Sequence, residues 1–370
     1  MGTSQAAATV TVFGAYGHTG RFVVSELLDR GLTPILSGRD ADKLRALADG
    51  LPGLEVRPAS VDDPASLDRA LDGAAAVINC AGPFASTTAP VIEAALRARI
   101  PYLDVAAEVE AVVDTFAHFA DRARDTGIVV VPAMAFYGGL GDLLATAALG
   151  DAPAADEVHI AYALSSWQPT SGTRGSSQVS RGRREGRRLV YAKGRLELRT
   201  DEAPTGQWSF PAPVGNRSVV GEFTTVDSVT IPRHLSAPDI HTCMTLDAVK
   251  DVLAPDAAPP KPVDERGRSA QTFLVDVVVR AGGTRRRAVA RGQDIYAITA
   301  PLVVEAVSRV LSGRVKTVGV AAPGEIFDAH AFLRSLAPHH LSYELGAADA
   351  DADADAESAD EAKGPFSPGV

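Results

Sequence analysis

Apolar and polar positions along the first 135 residues follow two alternating rhythms. Short apolar or β-branched runs at 9–13, 33–37, 54–58, 75–80, 102–105 and 128–131 read as strands. Between them, apolar residues recur at helical spacing over 21–30, 40–49, 64–71, 89–99 and 109–125. Phe22, Val23, Leu27 and Leu28 mark the first helix, which stops at Gly31, a natural C-cap. Strands and helices alternating at this pace predict right-handed βαβ crossovers and a parallel sheet. The runs at 33–37, 75–80 and 128–131 are nearly continuous in apolar character, as strands covered on both faces require. The expected fold is α/β, a Rossmann doubly wound parallel sheet.

After Ala135 the rhythm changes. A helix is expected over 141–149, then strands at 158–164, 189–198, 273–280 and 286–291, with a Pro- and charge-rich loop at 254–268. A long amphipathic helix at 297–311 and a short one at 328–336 close the pattern. The implied organisation is a dinucleotide-binding domain at 1–135 and an inserted α+β substrate or oligomerisation domain at 136–292. Helices at 293–345 would return to the first domain, followed by a disordered acidic tail at 346–370.

Length and charge refine this picture. A chain of 370 residues exceeds what one compact core usually holds, so two domains are the prior. The net charge is −10, partly from the Ala/Asp/Glu tail at 349–361, and this balance argues against nucleic acid as a partner. That tail has too little apolar surface to offset its ordering entropy. No run of about 18 apolar residues predicts a membrane span, and the N-terminus lacks the features of an export signal, so a cytoplasmic location is expected. With two cysteines, Cys80 and Cys243, neither a disulfide framework nor a four-ligand zinc site is expected.

The candidate chemistry begins at Gly14-Ala15-Tyr16-Gly17-His18-Thr19-Gly20, a glycine loop placed between the first strand and the first helix. Gly14 lets the chain turn off the strand, Gly17 lets a pyrophosphate approach the backbone, and Gly20 lets the helix pack on the sheet. The helix N-terminus then faces the anion. After the second strand stands Ser37-Gly38-Arg39, where enzymes using NAD usually carry Asp or Glu. A guanidinium there suits a 2′-phosphate, so Arg39, helped by Ser37, predicts NADP (NADPH) over NAD. Asp40, adjacent, would cap the next helix. Asp62 could meet the adenine, while Asp63 reads equally as a helix cap. Asn79-Cys80-Ala81-Gly82-Pro83-Phe84 leaves the fourth strand at the topological switch, where ligands sit. Cys80 reads as a packed small residue, having no basic partner nearby in sequence.

These residues, together with SGRDADKL, VDDPASL, INCAGPF, PYLDVAAE and AFYGGLGDLLA in that order, resemble the saccharopine dehydrogenase-like NADP-binding family over roughly the first 150 residues. The closing ITAPLVVEAV and GEIFDAHAFL resemble its C-terminal return. The resemblance implies hydride transfer with NADP to a C=N, C=C or C=O group; the family includes amino-acid-forming reductases and trans-acting enoyl reductases. It implies that Gly14, Gly17, His18, Thr19 and Gly20 bind pyrophosphate and that Arg39 binds the 2′-phosphate. Cys80, Gly82, Pro83 and Phe84 would line the nicotinamide. Tyr137-Gly138-Gly139 before Asp142 departs from the family wording, which leaves Asp142 without an assigned role.

For the proton donor, Asp104 and Tyr137 lead, each just past a strand end, with His234 and His241 behind them. Asp104 also reads as a helix cap. No Tyr-x-x-x-Lys pair follows the fourth strand, which argues against short-chain dehydrogenase chemistry. Thr170 to Arg174 opens a basic stretch with Arg181, Arg183, Arg184, Arg187, Arg188 and Lys193, which reads either as an anion site for a small-molecule substrate or as a solvated surface loop. Two function classes stay open: an NADPH-dependent reductase, and a non-catalytic NADP sensor or scaffold. A homodimer is a further expectation.

Overall fold

The computed structural model describes residues 8–347 and 349–350. Its first sheet takes β1 (Thr9–Phe13), β2 (Thr33–Gly38), β3 (Glu55–Pro58), β4 (Ala76–Asn79), β5 (Tyr102–Asp104) and β6 (Val129–Val131). These alternate with α1 (His18–Asp29), α2 (Ala41–Asp49), α3 (Pro64–Leu71), α4 (Phe84–Ala98) and α5 (Val109–Thr126). Then follow α6 (Gly139–Leu149), β7 (Glu157–Leu164), α7 (Ser171–Arg183), β8 (Arg188–Ala192), β9 (Arg195–Arg199), β10 (Thr205–Ser209) and β11 (Asn216–Gly221). The short α8 (Asp227–Thr230) precedes β12 (Ile240–Thr245), α9 (Leu246–Leu253), β13 (Thr272–Ala281) and β14 (Thr284–Gln293). The chain closes with α10 (Thr299–Leu311), β15 (Gly319–Val320), α11 (Pro323–Ile326), α12 (Ala329–Leu336), β16 (Leu341–Leu345) and β17 (Asp349–Ala350).

The first sheet runs β15-β6-β5-β4-β1-β2-β3, and every pair in it is parallel. This is the doubly wound fold anticipated from the alternating pattern, with its switch point between β1 and β4. Alternation within the strands feeds two cores. Val10, Val12, Leu36 and Ile78 pack with Val23, Val24 and Leu27 of α1. Phe13, Ile35 and Val77 pack on the other face with Leu67 of α3 and Val91 and Ile92 of α4.

The second sheet runs β10-β11-β12-β7-β13-β14-β16, with β12 and β7 parallel and the rest antiparallel. Helix α6 lies against β13 and β14 and is buried around its whole circumference, which explains its continuous apolar sequence. Helix α10 returns to pack on α1, and β15 pairs with β6. Strand β16 departs from the expected return: it pairs with β14 in the second sheet. Its Leu341 is buried, and that anchors it there.

Other differences have local causes. The single strand expected at 189–198 is a hairpin, because Lys193 and Gly194 both take positive φ and reverse the chain. The basic stretch expected as a loop is α7, capped by Thr170, whose side chain accepts the Thr173 N–H at 3.0 Å. Its three glycines disfavour a helix on propensity, so tertiary contacts hold it. In the acidic segment, Asp349–Ala350 pairs with β14; the rest of the tail lies outside the described residues. Among the described residues, no helix is long and apolar enough to cross a membrane.

Candidate functional site

The glycine loop sits at the switch point, held by the backbone. The N–H groups of Gly14 and Ala15 donate to the Ser37 carbonyl at 2.8 and 3.1 Å, tying β1 to β2. Gly14 has φ +88°, and a Cβ there would lie 2.8 Å from the Ala81 nitrogen, so the loops after β1 and β4 touch. A Cβ on Gly20 would lie 2.2 Å from the Gly14 carbonyl oxygen. Both positions therefore admit glycine alone. Helix α1 begins at His18 with no side-chain cap and no acid in its first turn. Among the described residues no acceptor meets the His18, Thr19 and Gly20 N–H groups, which leaves an uncapped helix N-terminus.

Beside it, Arg39 is exposed and has no hydrogen bond or ion pair among the described residues. Asp40 is occupied: it caps α2 through the Lys43 N–H at 3.0 Å and pairs with the Lys43 ammonium at 3.1 Å. The Lys43 nitrogen also stands 5.7 Å above the Tyr16 ring, and Tyr16 covers Gly38. Ser37 corrects one expectation. Its side chain is fully buried with an unpartnered Oγ, so it cannot stand beside Arg39 on the surface; its carbonyl holds the loop instead. Asp62 is exposed after β3, and Asp63 caps α3 through the Ser66 N–H at 3.2 Å.

The loop after β4 is built on a buried polar network. Asn79 donates to the Thr87 and Tyr102 hydroxyls at 3.2 Å each and accepts the Ala81 N–H at 3.0 Å. Cys80 is half-buried, and burial pushes its thiol well above the ordinary value, which fits the packed reading. The α4 N-terminus, starting at Phe84 after Pro83, is already capped. The buried Glu108 carboxylate accepts the Phe84 and Ala85 N–H groups at 2.6 and 2.8 Å.

Asp104 belongs to the same network. It is fully buried, and it accepts from the Tyr102 hydroxyl at 2.8 Å and from the Ala106 and Ala133 N–H groups at 3.0 and 2.7 Å. Burial pushes its carboxyl up to about 6, against the pull of those donors. Its bonds clamp the ends of β5 and β6 together.

Tyr137 is different. Its hydroxyl is buried and finds no partner among the described residues. Its ring packs against Phe136, Tyr162 and Trp167, with centroids 4.9, 5.1 and 5.6 Å away. Burial, then the neighbouring Tyr296 and Asp227, hold the phenol well above its ordinary value, so it stays protonated. The Trp167 indole N–H and the His18 Nε2 are likewise buried without partners. His18 meets the Tyr296 ring edge-on at 5.1 Å, which joins the glycine loop to the second half of the chain.

Behind Tyr137 lies a buried acidic pair. Asp227 accepts the Tyr162 hydroxyl at 2.9 Å and the Gly138 N–H at 3.3 Å. Burial, helped by the Asp142 charge, raises it to about 6. Asp142 accepts from Gly324 N–H at 2.9 Å and meets His234 Nε2 at 2.9 Å. Although burial lowers the His234 imidazole, the Asp142 charge outweighs it and the net shift is upward. His234 is thus a partner of Asp142 at the base of α6. His241 lies elsewhere, on the second sheet beside Glu157.

The basic stretch does not converge on one point. Arg174 donates to the Ala254 and Ala257 carbonyls at 3.4 and 2.9 Å. Arg183 and Arg184 pair with Asp114 and Glu110 of α5 at 2.8 Å each, and Arg188 pairs with Glu222 at 2.8 Å. The Arg183 and Arg184 pairs dock α7 over the first domain, with Ser176 directly above Gly82. Sequence reasoning missed Trp167, Tyr162, Asp227 and Tyr296. Only the scarcity of tryptophan, two in the chain, marked any of them.

The fold and the uncapped glycine loop define a dinucleotide-binding class of protein. Residues 10–131 match the family model for the saccharopine dehydrogenase NADP binding domain. A probable mitochondrial saccharopine dehydrogenase-like oxidoreductase of Arabidopsis thaliana is 32% identical over 142 residues, covering 34% of this chain and 31% of the relative. The human saccharopine dehydrogenase-like oxidoreductase is 29% identical over 154 residues, covering 37% and 36%. A trans-acting enoyl reductase of Mycobacterium ulcerans is 26% identical over 142 residues, covering 37% and 34%. These alignments span about a third of each relative. Saccharopine dehydrogenase (L-Glu forming) of Saccharomyces cerevisiae superposes with a TM-score of 0.63 at 14% identity, covering 92% of this chain and 100% of that one. It shares the fold of both halves.

Proposed function

We propose that the chain is an NADP-dependent oxidoreductase that transfers hydride to a C=N, C=C or C=O group of a small or carrier-linked substrate. One observation carries the reading. Unsatisfied polar groups line the same edge of the parallel sheet: the free N–H groups of 18–20 and Arg39 on one side, and the Tyr137 hydroxyl and Trp167 N–H on the other. The glycine cradle and the unpaired guanidinium fit a dinucleotide that carries an extra phosphate.

In this reading the backbone of Gly14, Gly17, His18, Thr19 and Gly20 holds the pyrophosphate, with Tyr16 beside the adenosine. Arg39 binds the 2′-phosphate, and Asp62 stands near the adenine. Cys80, Ala81, Gly82, Pro83 and Phe84 shape the wall next to the nicotinamide, and α7 covers it from above. The bound cofactor supplies the hydride. Tyr137, protonated and desolvated, donates the proton to the substrate atom that gains charge. Asp104 is a positioning residue that fixes the strand ends. The orphan Tyr137 hydroxyl favours this reading over a non-catalytic NADP sensor, which needs no such donor.

Titration with NADPH and NADH, followed by nicotinamide fluorescence, tests the cofactor. Tight NADPH binding with much weaker NADH binding is expected, then NADPH oxidation with an imine, enone or ketone acceptor. Binding of neither nucleotide overturns the proposal.

A further inference from the structure

A second constellation lies far from this edge. Glu157 and His159 are two residues apart on β7, so their side chains share a face. His241 on β12 stands directly opposite His159 in the parallel register. Val158, Ile160 and Tyr162 point into the core that contains α6, whereas Ala161 and Cys243 belong to a separate cluster on the opposite face. The Glu157, His159 and His241 side chains therefore lie on the outer face of the second sheet.

There the Glu157 carboxylate bridges two imidazoles, meeting His159 Nε2 at 2.7 Å and His241 Nε2 at 3.0 Å. One ligand atom from each residue lies within 4.8 Å of the others. The two rings stack at 4.7 Å, and Trp208 lies over His159 at 5.8 Å. His159 is buried, while His241 is 37% exposed and leaves the cluster open on one side. Arg280, the register partner of Glu157 on β13, stands 3.5 Å from one carboxylate oxygen.

We propose that Glu157, His159 and His241 form a binding site for a divalent cation of the zinc type, with an open coordination position toward solvent. Two imidazoles and one carboxylate are the donor set that such borderline ions favour, while magnesium and calcium prefer oxygen alone. Zinc bonds of about 2.0–2.1 Å place tetrahedral ligand atoms about 3.3 Å apart, so the two carboxylate–imidazole separations of 2.7 and 3.0 Å need to open by well under an ångström. Glu157 can give one oxygen to the metal and keep the other beside Arg280, which balances the local charge.

The site is independent of the proposed reductase chemistry, and the test uses the full chain without a polyhistidine tag, dialysed against EDTA. Calorimetric titration with Zn²⁺ is expected to give one ion per chain. H241Q, at a half-exposed position, should weaken binding at least tenfold while leaving NADPH affinity and the circular dichroism spectrum unchanged. H159Q should abolish binding; if it fails to fold, H241Q alone decides. Cu²⁺ should quench tryptophan fluorescence in the native chain, and W208F should lose most of that quenching while still binding Zn²⁺. Absence of Zn²⁺ binding, or unchanged affinity in H241Q, overturns the proposal and leaves the cluster as a hydrogen-bonded seam between β7 and β12.

Discussion

The two candidate proton donors, Asp104 and Tyr137, sit at neighbouring strand exits and look alike in sequence, yet their surroundings are opposite. Asp104 is saturated by donors from Tyr102, Ala106 and Ala133. Tyr137 carries a buried hydroxyl with no partner among the described residues. A buried polar group whose bonds are all made contributes to stability, and removing one of its partners strands the others. A buried polar group with none raises the energy of the ligand-free state and is repaid when a substrate supplies the bond. Saturation therefore separates the Asp104 clamp from the proton donor proposed at Tyr137 where position along the chain does not.

The strongest way to break this comparison is Tyr137→Phe. It should lower kcat by about a hundredfold or more, as loss of a general acid does. NADPH affinity should hold, and thermal stability should hold or rise slightly because an unpaired hydroxyl is removed. Steady-state kinetics beside a melting curve reads both; an unchanged kcat would move the proton donor elsewhere, with Asp227 and its Tyr162 partner next in line.

Asp104→Asn should do the reverse, costing about 2–3 kcal/mol of stability because three donors then face one amide. Denaturant unfolding measures it. Activity per folded molecule should fall far less than in Tyr137→Phe.

The pH dependence sharpens the same contrast. The folded Asp104 carboxyl titrates near 6, above its ordinary 3.8, so the native state holds an extra proton between those values. Its contribution is full below about pH 4 and is lost as pH rises through about 6, at most about 3 kcal/mol. The stability difference between the native chain and Asp104→Asn should shift across that window and be flat above it. A flat difference throughout would mean that the carboxyl titrates normally.

The smallest effect belongs to the exposed Arg39. Arg39→Ala should weaken NADPH about tenfold, the scale of one charge-assisted contact at a surface, and leave NADH unchanged. Equal losses for both nucleotides would remove Arg39 from selectivity.

Much of the first half was legible because its signals are local. A parallel strand covered on both faces must be apolar throughout, and a loop that carries Gly14 and Gly20 has no room for a Cβ. The pattern thus set the strand sequence, the glycine loop and the likeness of residues 10–131 to the saccharopine dehydrogenase NADP binding domain. The second half was less legible because its determinants are distant. Helix α7 forms on a glycine-rich segment because Glu110 and Asp114 of α5 and the loop at Gly82 hold it. Trp167, Tyr162, Asp227 and Tyr296 come from separate segments and gain meaning only by meeting Tyr137.

The sequence alone determined the doubly wound sheet, the uncapped α1 N-terminus and the placing of Arg39, since backbone sterics and periodicity act over a few residues. Tertiary structure alone decided that Asp104 is a clamp, that Tyr137 is unsatisfied, and that Glu157, His159 and His241 converge. Hydrogen-bond saturation and desolvation depend on which distant groups fold against a side chain, and no local pattern encodes that.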